Sequence, residues 1–272
     1  MRQLGILCAL LGMTFHGRAQ TDTTKADTVI VGGITIINKP NDSGSGVTWD
    51  STGKSGRHHY YHSDSKITTQ WFLIDLGFDN YTDNTNYTSA ATQALSPGAT
   101  ADRFDLRNGK SINFNLWFFM QKISLIKHVV NLKYGLGIET HNYRYTSNII
   151  YHQNPLQIIP DTISYSKDKL ATDFLTIPVM LNFNFNPHHH EPIGFSIGMS
   201  AGYLYSSRQK VISGENGKEK THSSFNLEPW RFSYIAELNL GPIGVYGEMA
   251  TKSMYKYGLD MTPYSVGLRL NY

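Results

Sequence analysis

His141 is the residue whose neighbours most suggest a reaction. Glu139 lies two residues before it and Ser147 six after it, and an acid, an imidazole and a hydroxyl are the parts of nucleophilic acyl or ester chemistry. No spacing in this stretch enforces a Ser–His hydrogen bond, so the grouping is a candidate without a scaffold. Histidines also gather at His58, His59 and His62 and at His188, His189 and His190. A tetrahedral metal site needs about four convergent ligands held by outer hydrogen bonds, and both clusters fall in polar segments that offer neither. They read as solvated loop residues. A Gly-rich phosphate loop is absent. The expectation is a chain with no catalytic residue, no cofactor and no metal.

A second set of charges is more informative. Asp75, Lys133, Glu139, Glu237, Glu248 and Arg269 each sit on the polar face of a segment in which apolar and polar residues strictly alternate. Eight such segments follow one another after about residue 70. In order, their apolar faces are carried by Phe72 to Phe78, Ile112 to Met120, Val130 to Ile138, Leu175 to Phe185, Phe195 to Tyr203, Tyr234 to Leu238, Val245 to Met249, and Val266 to Tyr272. A period of two is a β-strand with one apolar face. The connections alternate too: short near Lys127-His128, Pro187 to Pro192 and Gly241-Pro242, long and polar at 79–110, 146–173, 206–230 and 252–263. That pattern predicts an all-β, eight-stranded, antiparallel up-and-down transmembrane β-barrel, with short turns and both termini periplasmic.

The polar face decides which way the barrel is turned. Gly194, Ser196, Gly198, Ser200 and Gly202 are small, as the crowded interior of an eight-stranded barrel requires, so the apolar face points at lipid. The six charged residues then share the lumen, where charges of both signs must pair. Tyr81, Tyr143, Tyr145, Tyr203, Tyr205, Trp230, Tyr255, Tyr257 and Tyr264 lie near strand ends and are expected in aromatic girdles. Pro178 interrupts a strand that has no free edge, for which a β-bulge is the expected repair.

Composition agrees. Of 272 residues only 17% are charged while 12% are aromatic, against roughly 25% charged in an average soluble domain. No run reaches the ~18 apolar residues of a membrane-spanning helix. Residues 1–19, with Arg2, an apolar stretch from Leu4 to Leu11 and small residues at Gly17 and Ala19, read as a signal peptide. Its loss removes Arg2 and Arg18 and takes the formal charge of +3 towards neutrality, which excludes a nucleic-acid partner on electrostatic grounds. Cys8, the single cysteine, lies inside that signal, too early for lipidation. Residues 20–69 form a polar periplasmic segment with a short hairpin around Gly32-Gly33 and a linker at 41–65. Asp27-Thr-Val-Ile-Val31 resembles a TonB box, but too few residues follow for a 22-stranded transporter, so it reads as a short β-segment.

At the C-terminus Ser265, Gly267, Leu270 and Tyr272 occupy the constrained positions of a pattern that resembles the outer-membrane assembly signal, which implies the barrel-assembly machinery as a partner. From about Trp71 onward the chain resembles the PorT-like family of outer-membrane β-barrel proteins, through Phe174-Leu-Thr-Ile-Pro-Val-Met-Leu181 and Gly194-Phe-Ser-Ile-Gly-Met-Ser-Ala-Gly-Tyr203. The resemblance implies residence in the bacterial outer membrane, contact with its lipid, and a role that is structural, recognition through the loops, or participation in a secretion complex. An extracellular or periplasmic protein partner stays unidentified, and a lipid-modifying barrel enzyme built around His141 is the alternative.

Overall fold

In a computed structural model the described residues are 27–31, 34–38, 66–186 and 193–270. The signal segment, Cys8, the linker, both histidine clusters and Tyr272 lie outside them. The chain divides into two units, Met1–Tyr61 and His62–Tyr272. In the first, β1 (Asp27–Val31) and β2 (Ile34–Asn38) pair antiparallel, Val31 opposite Ile34.

The second unit is a closed ring of eight antiparallel strands. β3 (Ile67–Asp83) is followed by β4 (Ile112–Ile126) and β5 (Val130–Arg144). The hairpin of β6 (Ile149–Gln153) and β7 (Leu156–Pro160) stands outside the ring. The ring continues with β8 (Tyr165–Asn184) and β9 (Ile193–Ser213), from which β10 (Gly217–His222) folds back as a further partner. β11 (Trp230–Leu240), β12 (Ile243–Ala250) and β13 (Met261–Leu270) complete it. Each ring strand pairs with its sequence neighbours, and β13 pairs with β3 to close the circle. Closure leaves no open edge, which is the condition for a sheet to stand in hydrocarbon.

The apolar faces point outward. Leu76, Phe78, Leu175, Ile177, Val179, Leu181, Ile197, Val266 and Leu268 are exposed, while Asp75, Lys133, Thr176, Ser196, Glu237 and Arg269 between them are buried. At the short-turn rim Trp71 packs on Phe119 and Phe183 stacks on Phe195. Towards the long-loop rim Trp230 packs edge-on against Tyr203 and stacks on Phe232.

Several expectations need correction. The barrel begins at Ile67 rather than residue 70. β8 and β9 run well beyond the aromatic row, so parts of 146–173 and 206–230 are strand rather than loop. No register shift marks Pro178. The β5–β8 ladder keeps one register past it but lacks the rungs between Tyr134–Val179 and Gly137–Thr176. A shift falls instead between Trp117 and Phe119 of β4, and it turns Met120 into the lumen, where it is buried against Leu73, Trp117 and Met180.

The long connections are not simply polar. Segment 84–111 contains α1 (Ala90–Leu95), capped by Ser89, whose Oγ accepts the Thr92 N–H at 3.2 Å. Leu95, Phe104, Ile149, Ile158, Leu170, Phe225, Leu227 and Leu259 form one buried apolar cluster. Tyr143, Tyr145 and Tyr255, placed in girdles by the sequence, belong to this cluster. The hydroxyls of Tyr145, Tyr151 and Tyr255 form a chain at 2.8 Å per link. The long-loop end is thus a cap with a core of its own.

Candidate functional site

The lumen holds two layers of buried charge. Asp75 and Asp79 on β3, and Ser265 and Arg269 on β13, are each four residues apart on one face, so the layers are about 13 Å apart along a strand.

In the layer nearer the short turns, Arg269 donates to Asp75 through Nε at 2.6 Å and Nη2 at 2.7 Å, a bidentate pair. Its Nη1 reaches Glu237, whose other oxygen receives Lys133 Nζ. Trp117 Nε1 donates to Asp75 at 2.7 Å, and the Arg269 guanidinium lies over the Trp117 ring at 5.5 Å. The chain Lys133–Glu237–Arg269–Asp75 therefore joins β5, β11, β13 and β3 across the lumen. A small gap of about one water's volume lies beside it, lined in part by Pro178, Glu139 and Glu248.

In the other layer His141 sits between opposite charges. Its Nδ1 is 2.8 Å from Asp79 Oδ1, and its Nε2 meets Arg231 Nη1. Nδ1 also lies 3.1 Å from Asn113 Nδ2, so the ring is wedged between a carboxylate, an amide and a guanidinium. Asp79 also receives Ser265 Oγ at 2.7 Å and the Asn142 N–H at 2.9 Å. Arg231 approaches Glu248 at 3.2 Å and donates through Nε to Ser233 at 3.2 Å. Glu139 accepts from Thr176 at 3.0 Å and lies 3.9 Å from His141 Nε2. Asn113 and Asn115 connect the layers, Asn113 donating to Asn115 at 3.0 Å and Asn115 to Asp75 at 3.4 Å.

All six charged residues singled out in the sequence lie in these layers: Asp75, Lys133, Glu237 and Arg269 in one, Glu139 and Glu248 in the other. Asp79 and Arg231, which the sequence reading left out, lie just beyond the ends of the runs read there as alternating. The catalytic grouping does not form. Ser147 Oγ donates to the Asp102 carbonyl in the exposed loop at 3.1 Å, whereas His141 is fully enclosed in the lumen, with its Nε2 against Arg231. Gly194-Phe-Ser-Ile-Gly198 has the letters of a nucleophile elbow, but Ser196 stands mid-strand in β9 and accepts from Asn182 at 3.0 Å; an elbow requires a sharp strand-to-helix turn.

The C-terminal motif has lumen roles as well. Ser265 holds Asp79, and Gly267 pairs with Gly77. A Cβ on Gly77 would stand 2.5 Å from the Tyr246 hydroxyl, so the paired glycines make room for a phenol that donates to Asn113. Leu270 is exposed on the outer face.

A polar interior inside an apolar exterior belongs in lipid, and a family model described as outer membrane protein beta-barrel domain matches residues 75–259. The chain belongs to that family. Among solved structures, the crystal structure of Neisserial surface protein A (NspA) aligns with 75% of this chain and 99% of that one, at 10% identity and a TM-score of 0.32. No curated protein matches the sequence. Like other members of the outer-membrane β-barrel family, the chain resides in the bacterial outer membrane, with residues from 67 onward forming the barrel.

Proposed function

We propose that this barrel is a closed, non-enzymatic outer-membrane protein that works through its cap, as a recognition or complex-forming surface, with the short turns and both termini periplasmic and the cap outside the cell. The observation that carries the reading is the pair of charge layers. One runs from β3 through β13 and β11 to β5, the other from β3 through β5 to β11, both across the lumen, and an eight-stranded barrel has little interior beyond what its side chains fill. The packed cap gives the outward end a fixed shape, as a recognition surface on a rigid scaffold requires. Residues 1–19 serve as export signal, Ser265, Gly267, Leu270 and Tyr272 as the assembly-machinery signal, and the outward apolar belt as the lipid contact.

Within the family we place the chain with PorT-like barrels, on the Phe174–Leu181 and Gly194–Tyr203 stretches; participation in a secretion complex is the corresponding form of the same role. Planar-bilayer recording of the purified protein tests the closed lumen. The expected trace has no unitary conductance, and porin-sized steps in the wild type would overturn the reading.

A further inference from the structure

Above the aromatic row the outward face of the barrel wall changes from apolar to cationic. Arg144 on β5 is the register partner of Lys169 on β8, Lys169 of Lys210 on β9, and Lys210 of Lys220 on β10. Register partners share a face of the sheet, so four cations stand in one row across four strands. Ile212 separates Lys167 from Lys218 in the row above, and Arg208 lies in the row below. Like charges directly opposite one another destabilise a sheet, and this row contains no carboxylate. Asp173, on the same face, is taken by Arg208. Asp168 and Glu219 are register partners of Val211 and so face the other way. Arg144 Nε is buried with no hydrogen-bond partner. Burial and the neighbouring Lys167, Lys210 and Arg208 push the Lys169 ammonium down to about 8.

The patch is continuous with the lipid-facing belt. Leu175, Ile177 and Val179 are exposed on β8 just past Asp173, and Tyr203 and Tyr205 on β9 just before Arg208. The cationic row stands three outward-facing positions beyond Leu175, about 20 Å along β8 and less along the membrane normal because barrel strands tilt, a level reached by the sugar headgroup of a glycolipid. Phosphate monoesters have both the charge and the several acceptor oxygens that a lattice of ammonium and guanidinium donors satisfies.

We propose that the outward face formed by Arg144, Lys169, Lys210 and Lys220 binds the phosphate groups of the lipid in the leaflet beside the cap, a phosphorylated glycolipid headgroup spread over three or four strands. This rests on the orientation given above, with the cap outside the cell.

The test uses the full-length barrel refolded in zwitterionic detergent and a fluorescent, doubly phosphorylated glucosamine-disaccharide lipid as probe, followed by anisotropy at low salt. At roughly a factor of five per surface cation, the triple variant K169Q/K210Q/K220Q is expected to bind about 100-fold more weakly. The arginine triple K169R/K210R/K220R should keep wild-type binding, which separates lost charge from lost folding. K110Q/K256Q, exposed lysines elsewhere on the loops, should change binding by less than about twofold, and the wild-type affinity should fall with salt. A glutamine triple that migrates as a folded barrel and binds within about threefold of wild type would overturn the proposal. Displacement of the probe by an equal concentration of inorganic pyrophosphate would also overturn it, by assigning the face to soluble phosphate. The orientation is tested apart from binding. K220C in intact cells should react with a membrane-impermeant maleimide; reaction only after the outer membrane is permeabilised would overturn the orientation while leaving the binding result to stand or fall in detergent.

Discussion

On either side of the aromatic row at Tyr203 and Trp230, the same strands obey opposite rules. Towards the short turns, β8 buries Thr176 and Asn182 and exposes Leu175, Ile177 and Leu181; towards the long loops it buries Leu170 and turns Lys167 and Lys169 outward. β5 does the same, with Lys133, Glu139 and His141 in the lumen giving way to Tyr143. Along β5 and β8 the alternation keeps its period of two through the boundary, while β9 slips by one residue between Leu204 and Ser206. The medium outside changes: where it is hydrocarbon the apolar row faces out and the interior must pair its charges, and where it is polar, headgroup or water, the apolar row turns into a core. One chain therefore holds two kinds of stability, one from ion pairs that would be costly to break and one from ordinary apolar burial.

Substitutions that strike one half should leave the other intact, and the largest effect belongs to the lumen. Arg269→Met removes the partner of both Asp75 and Glu237 and should cost about 4 kcal/mol, the cost of stranding buried charge. It is read as a clear fall in the temperature at which the folded band on a gel converts to the unfolded one. An unchanged temperature would show that the ion pairs do not hold the barrel.

Leu170→Ala strikes the cap. A fully buried leucine cut back in a packed core costs about 3.5 kcal/mol, and the loss should appear as protease cleavage within 145–164 with the gel transition in place. If the transition falls in parallel, cap and barrel are one cooperative unit and the contrast fails.

The cap should also respond to pH through Asp168, which lies on the cap side of the aromatic row. Burial pushes its carboxyl up to about 6, outweighing the Ile149 N–H and Gln209 side chain that donate to it. Its unfolded value is about 3.9, so the folded cap binds the proton more tightly. Cap stability should be greatest below about pH 4, fall by up to about 3 kcal/mol between pH 4 and 6, and level off above. Hydrogen exchange at the Ile149 amide, corrected for intrinsic rate, measures it; Asp168→Asn should flatten the profile. The smallest effect is expected at Lys252, half exposed and 3.3 Å from Glu228. Lys252→Gln should move neither transition by more than about 0.5 kcal/mol.

Much of the lumen was legible because alternation marks the inward row wherever lipid lies outside. Asp75, Lys133, Glu139, Glu237, Glu248 and Arg269 all stood out as charges on a polar face. Legibility ended where the rule inverted. Tyr143, Tyr145 and Tyr255 look like girdle residues to a reader who assumes lipid outside, and they lie instead in a core that replaces it. Asp79 and Arg231 lie next to that change of medium, past the last clear alternation. Met120 was misassigned for a different reason: a register shift at Phe118 adds one residue, and one residue exchanges the faces of a strand.

The sequence by itself determined eight strands, their phase except where a register shift intervenes, their short and long connections and most of the charges in the lumen, because a two-residue period and the polarity of a turn are local properties. Only the tertiary structure decided the pairing. Lys133 and Glu237 are 104 residues apart and Asp75 and Arg269 are 194 apart, and they meet because ring closure brings β3 beside β13 and sets β5 across the lumen from β11. The cap was likewise a tertiary decision, since α1, the β6–β7 hairpin and Phe225 bury their apolar groups only against one another and the strand ends beneath them.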